Sequence, residues 1–402
     1  MKYIDRTLEK AILRASERFK VVMVSGMRQV GKSTLLKHIA DRTYVTLDNT
    51  RALDTALNME DVFFKQYSVP ILIDEIQRAP NLFLPIKELV DTSDKRGLVW
   101  LTGSQRFELM KNTSESLAGR VVNFELLPFS LYELEGKAFE QKPYLPSNSI
   151  KERTLKGMTD DALWHRIWQG TWPDVVDDTP ENRDNFYNGL LQTYLERDVI
   201  QTGINKLRDF QRFLAILATR IGQEFQITKI AAEVGISFTT AREWLSIAES
   251  SGVIYLLPPF FENIGKTIVK KPKLYFTDTG LAAWLCGIPS SDALQNFYNK
   301  GAFFENFVII EILKSWLHNG KRANFFFYRD STFQEVDLLI KDGTTYYPIE
   351  IKATAHPEGS MVKAFDAIKG GSFTRGPGAL ICLTNESRFI QKDVIAHSVF
   401  DI

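Results

Sequence analysis

The chain has 402 residues, too many for one ordinary domain, and its 44% hydrophobic and 24% charged residues are the balance of a globular protein. Lys plus Arg equals Asp plus Glu at 49 each, which excludes a globally basic nucleic-acid binder, so any basic patch must be local. Cys286 and Cys382, far apart in the chain, offer neither a disulfide framework nor a zinc-ligand spacing, and no apolar run reaches the roughly 18 to 20 residues that span a bilayer. The expected setting is cytoplasmic, away from membranes.

The first segment, "MKYIDRTLEKAILRASERFK", reads as an amphipathic helix without the apolar core of a signal peptide. After it, residues 1 to about 140 alternate strand-like and helix-like stretches, the pattern of an α/β domain with a parallel sheet. The β-branched run "KVVMVSG" leads into "SGMRQVGKST", in which Gly26, Gly31, Lys32 and Ser33 fit the GxxxxGK[ST] spacing of a phosphate-cradling loop. The glycines give the backbone conformations closed to residues with a Cβ, Lys32 reaches terminal phosphates, Ser33 holds magnesium and Thr34 opens the following helix. Next, "VPILIDEIQ" ends a buried strand on two carboxylates, where α/β sites gather. Asp74 is expected to orient magnesium and its waters and Glu75 to act as general base, the competing reading being a pair of helix caps. The strand "GLVWLTGSQ" ends in Thr102, Ser104 and Gln105 at the height of a γ-phosphate, and Arg120 either stabilises transition-state charge, in its own or a neighbouring subunit, or forms a salt bridge.

Residues 141 to 205 read as a loose then helical linker rich in Trp, ending in the charged triplet Glu196, Arg197 and Asp198. Residues 206 to 290 give helix, turn, helix and a strand pair, the order of a winged helix. From Lys206 to Tyr275 there are ten basic and six acidic residues, a net +4, and the cluster Lys266, Lys270, Lys271 and Lys273 falls in the expected wing, suited to weak, sequence-independent DNA or RNA phosphate contacts. The alternative is a role in domain packing.

In residues 291 to 402, "GAFFENFVIIEILKSW" reads as an amphipathic helix with Glu305 among apolar neighbours. "QEVDLLIKDGTTYYPIEIKA" reads as a hairpin whose two-residue turn is Asp342-Gly343. That turn sets Asp337 opposite Pro348 and Glu335 opposite Glu350, so Asp337, Glu350 and Lys352 share one face. The two carboxylates with Glu305 are then expected to hold Mg²⁺ or Mn²⁺, with Lys352 orienting a water, unless the face is simply exposed and balanced by Lys352.

"GMRQVGKST", "ILIDEIQ" and "LTGSQ" together resemble the AAA-like P-loop ATPases of bacteria and archaea, and "YLERDV" and "KPKLYFTDTGLAAWL" resemble the carboxyl-terminal domain of uncharacterised function fused to them. The spacing of Glu305, Asp337 and Glu350-Ile351-Lys352 also resembles the PD-(D/E)XK nuclease superfamily. These resemblances imply a P-loop parallel-sheet domain, a winged-helix region and a restriction-endonuclease-like α/β end. They imply ATP and Mg, a second Mg or Mn, and a homo-oligomer in which ATP hydrolysis is coupled to a nucleic-acid-associated, nuclease-like module. The competing reading is a nucleotide-controlled binding switch that cuts nothing.

Overall fold

The computed structural model describes residues 3–104, 117–150, 155, 158–194, 207–260, 271–330, 332–368 and 374–402. Gln105, the triplet Glu196 to Asp198, and Lys266 and Lys270 lie outside them. The chain forms two compact units. The first comprises Met1–Lys142, Ser250–Val253 and Trp316–Lys321; the second holds the remainder, and so most of the segments expected at 141–205, 206–290 and 291–402. No helix among the described residues is long and apolar enough to cross a membrane.

In the first unit, β1 (Val21–Ser25), β2 (Thr43–Thr46), β3 (Ile71–Asp74), β4 (Val99–Gly103) and β5 (Val121–Glu125) make one sheet in the order β2-β3-β4-β1-β5. Every pairing is parallel, as the continuous apolar runs of β1, β3 and β4 require of strands covered on both faces. Val21, Met23, Ile71, Ile73, Val99 and Leu101 pack with Phe63, Phe83 and Ile86 in its core. Because β4 is inserted between β1 and β3, the carboxyl ends of three adjacent strands carry the phosphate loop, Thr102 with Ser104, and Asp74 with Glu75.

The second unit begins with helices Asp160–Gln169 and Pro180–Tyr194. Helices Leu207–Ala218, Ile227–Val234 and Phe238–Ser250 then precede the antiparallel pair β6 (Ile254–Leu257) and β7 (Lys273–Phe276), in the order read from sequence. Ala241, Trp244 and Ala248 are the buried stripe of the last of these helices, and Arg242, Glu243 and Ser246 are exposed.

The rest of this unit is a mixed sheet. Its strands are β8 (Phe325–Arg329), β9 (Glu335–Asp342), β10 (Thr345–Ile351), β11 (Thr374–Arg375), β12 (Gly378–Cys382), β13 (Arg388–Gln391) and β14 (Val394–Ser398). The path runs β13-β14-β12-β10-β9-β8, with β11 beside β10. The helix Lys300–Leu317 departs from the amphipathic expectation: it is buried on nearly every face from Phe303 to Trp316. Its polar residues are satisfied inside, Asn306 by both backbone groups of Phe276 and Lys314 by Glu311 at 2.7 Å and Thr171 at 3.1 Å.

Candidate functional site

The loop after β1 is shaped by its glycines. Gly26 has φ 149°, and a Cβ there would lie 2.2 Å from the Leu126 carbonyl oxygen; Gly31, at φ 90°, turns the chain into the helix Lys32–Ile39. The helix therefore starts at Lys32, two residues before the expected opening at Thr34, whose side chain is exposed on the first turn. Lys32 is buried, and its ammonium donates back to the Gly26 and Met27 carbonyls at 2.9 and 2.7 Å. Burial lowers its pKa to about 8 against the opposing pull of Glu75 and Asp74. A buried ammonium that, among the described residues, donates to carbonyls of its own loop suits an anion, so the residues present fit a nucleotide's phosphates.

Ser33 Oγ donates to Asp74 Oδ1 at 2.7 Å, and Tyr44 OH donates to Asp74 Oδ2 at 3.0 Å. Thr102 Oγ1 also bonds Asp74 Oδ1. Ser33 and Asp74 are thus held as the oxygen pair that would hold magnesium. Glu75 stands in the left-handed region, φ 59° and ψ 45°, unusual for a residue with a Cβ and of the kind found at functional sites. Its N–H donates to Thr102 Oγ1 at 3.3 Å, while its carboxylate accepts from the Gln77 amide and, at 3.4 Å, from Ser104 Oγ. The chain turn aims Glu75 away from β3, and Gln77 and Ser104 orient it. Tyr44 and Gln77 went unnoticed in the sequence; the only signal was Gln77, two residues after the acid in "DEIQ".

Arg120 is not brought to this loop. It precedes β5, and its carbonyl accepts the Val21 N–H at the amino-terminal end of β1, the opposite end of the sheet from Lys32. Its guanidinium grips Asp91, Nε to Oδ1 at 2.5 Å, with both groups solvent-exposed. An action on its own subunit's nucleotide is corrected by that placement: the salt-bridge reading is the one observed.

In the second unit the expected acidic face forms, with a different register. The turn is Gly343-Thr344, because Asp342 pairs with Thr345 and Lys341 with Tyr346. Gly343, φ 59°, takes the first central position, where a positive φ is needed. Each pairing shifts by two residues, which preserves parity: Asp337 no longer faces Pro348, pairing runs as far as Leu338 with Ile349, and Asp337 Oδ2 accepts the Ile351 N–H at 2.9 Å. Lys352 Nζ lies 2.6 Å from Glu350 Oε1 and 3.3 Å from Asp337 Oδ2.

Lys273 overturns its expected role as an exposed wing cation. It is buried, with Nζ 3.4 Å from Glu305, 2.5 Å from Glu335 and 3.8 Å from Asp337; Lys271, by contrast, is exposed. Tyr275 OH donates to Glu305 Oε1 at 2.6 Å. Burial raises the Glu305 and Glu350 pKa values, Glu350 to about 8 with Asp337 adding to the effect. Burial opposes the charge of Lys273 and Lys352, yet their carboxylates hold both above the ordinary lysine value. Among the described residues no group of three or more His, Cys, Asp and Glu is arranged to hold a metal ion. Glu305, Asp337 and Glu350 are therefore brought together around ammonium groups and not in the expected metal-holding arrangement.

Residues 18–135 match the AAA domain family, residues 160–292 a domain of unknown function (DUF8612) and residues 300–400 another (DUF4143). Among solved structures, the Walker-type ATPase PABY2304 of Pyrococcus abyssi aligns over 70% of this chain and 96% of its own, at 16% identity and a TM-score of 0.41, too distant to establish a shared fold. The uncharacterized protein MJ1544 of Methanocaldococcus jannaschii is 26% identical over 363 residues, 84% of this chain and 75% of its own. The uncharacterized protein Rv2008c of Mycobacterium tuberculosis is 31% identical over 352 residues, 86% of this chain and 73% of its own. At that identity and coverage, the chain belongs to the family of Rv2008c, with an AAA domain at residues 18–135.

Proposed function

We propose that the first unit binds ATP with magnesium and hydrolyses it. The observation that carries this reading is the convergence of Lys32, Ser33, Asp74 and Glu75 on one end of the sheet, with Ser33 and Asp74 2.7 Å apart. Lys32 would turn from its loop carbonyls to phosphate oxygens, Ser33 and Asp74 would hold magnesium, which would supply charge neutralisation, and Glu75, steadied by Gln77 and Ser104, would take the proton of the attacking water. Lys32→Ala should weaken binding of a fluorescent ATP analogue at least about tenfold, since it removes the buried cation of the loop. Glu75→Gln should bind as wild type does and lower turnover by roughly 10²-fold, as loss of a positioned base does. Wild-type turnover in Glu75→Gln would assign the base elsewhere.

For the second unit, the lysine-filled carboxylate cluster favours a nucleotide-controlled binding module over a nuclease. Metal-dependent DNA or RNA cleavage by wild type that is lost in Asp337→Ala would reverse that preference. Assembly into a homo-oligomer, weak phosphate contacts by the exposed Lys271 region and a cytoplasmic location complete the proposal.

A further inference from the structure

The buried carboxylate of Asp74 is held from three directions. Ser33 Oγ, on the helix Lys32–Ile39, donates to Oδ1 at 2.7 Å, Thr102 Oγ1 from β4 also bonds Oδ1, and Tyr44 OH from β2 donates to Oδ2 at 3.0 Å. Ser33 and Lys37 stand one turn apart on that helix and so share one face of it. Lys37 Nζ lies 4.6 Å from the centre of the Tyr44 ring, a cation over an aromatic face. The same helix face therefore fixes both oxygens of the acid, Oδ1 directly and Oδ2 through the tyrosine. Tyr44 is exposed on the edge strand of the sheet, where its hydroxyl could be left to water; it gives a charge-assisted bond to Asp74 instead.

We propose that Tyr44 selects the cation of the nucleotide site: by holding Oδ2 it leaves Asp74 a single oxygen, Oδ1, beside Ser33 for a metal, which suits Mg²⁺ and handicaps Ca²⁺. Ca²⁺ takes many oxygens in loose geometry and readily accepts both oxygens of one carboxylate, whereas Mg²⁺ keeps several of its waters and demands near-octahedral placement of single oxygens. For a metal to grip Asp74 by both oxygens, the carboxylate must give up the Tyr44 hydrogen bond and turn from Ser33 and Thr102. Tyr44 thus acts through Asp74, as a positioning residue. The inference rests on the reading that this unit binds ATP with magnesium, and adds to it which ion is turned away and by what.

The test uses the full chain in excess over a fluorescent, non-hydrolysable ATP analogue, with Mn²⁺ as the electron paramagnetic resonance probe and Mg²⁺ or Ca²⁺ added to release it. For wild type, half-release should need at least about tenfold more Ca²⁺ than Mg²⁺. Tyr44→Phe keeps the ring beneath Lys37 and removes only the hydroxyl; it should cut that ratio by roughly tenfold, the effect expected of a group that orients a metal ligand, with metal-free analogue affinity and melting temperature unchanged. Tyr44→Leu, which also lacks the hydroxyl, should give the same ratio and decides the matter if Tyr44→Phe does not fold. Added to Asp74→Asn, Tyr44→Phe should leave the ratio where it stands. An unchanged ratio in folded Tyr44→Phe, with both cations weakened alike, makes the hydroxyl a strut of the fold and overturns the inference while ATP binding stands; a wild type that does not discriminate overturns it equally. A wild type that takes up neither the analogue nor Mn²⁺ removes the ATP reading, and this inference with it.

Discussion

Glu133 shows how much one buried charge does in the first unit. Its Oε1 lies 3.2 Å from Arg6 Nε and 3.2 Å from His318 Nδ1 and accepts the Thr7 N–H at 2.9 Å, while Oε2 takes the Ser130 N–H at 2.9 Å. Burial alone would raise its pKa, but Arg6 and His318 outweigh it and hold the group at about 2, against an ordinary 4.5. A carboxylate with a depressed folded pKa contributes stability that is complete above about pH 4.5 and is lost as pH falls toward 2, here on the order of 3 kcal/mol. Urea unfolding of wild type and Glu133→Gln should therefore differ most near pH 7, narrow below about pH 4.5 and converge as pH approaches 2; a constant gap would show that the charge is not the cause. None of this was legible, because Glu133 reads in sequence as an ordinary acid of a capping box and its partners are remote in the chain. Lys32, Ser33, Asp74 and Glu75 were legible, since local spacing after apolar runs fixes them. Tyr44 and Gln77 were not, because their roles depend on which strands are neighbours.

The phosphate loop and the β9–β10 hairpin differ in how far sequence determines them. The loop is over-specified: at Gly26 any Cβ meets the Leu126 carbonyl at 2.2 Å, so Gly26→Ala should abolish binding of an ATP analogue while leaving the second unit's melting unchanged. Retained affinity would show that β5 can move aside. The hairpin is specified only in parity. Asp342-Gly343 and Gly343-Thr344 are both acceptable two-residue turns, and alternation keeps Asp337 and Glu350 on one face in either. Gly343→Val should cost about 1 kcal/mol, because a β-branched residue resists φ 59°, and should leave the Lys352 ion pairs in place. The Lys300–Leu317 helix misled for a related reason: its polar residues imitate a solvated stripe, yet Asn306 and Lys314 find their partners inside.

For the molecule as a whole, the AAA domain and its parallel sheet followed from sequence, whereas the composition of the units did not. Arg120 stands at the far end of its own sheet from the nucleotide loop, so a catalytic part for it requires a neighbour. Mixing Arg120→Ala with Glu75→Gln should restore part of the turnover through mixed interfaces if it serves across subunits; a monomer with full activity at every concentration would leave the Asp91 pair as its whole role. The first unit also draws on chain that comes late: Trp316–Lys321 belongs to it, and His318 Nε2 accepts the Leu127 N–H at 3.2 Å. During synthesis, the amino-terminal sheet leaves the ribosome on the order of ten to thirty seconds before residue 318 does. Through that interval Glu133 has Arg6 but lacks His318, and Arg6 is the residue whose guanidinium donates to the Val30 carbonyl of the phosphate loop at 3.1 Å. Until then Arg6 holds the Val30 carbonyl of the loop against Glu133 alone, and the His318 contact joins this brace only when the segment Trp316–Lys321 is present.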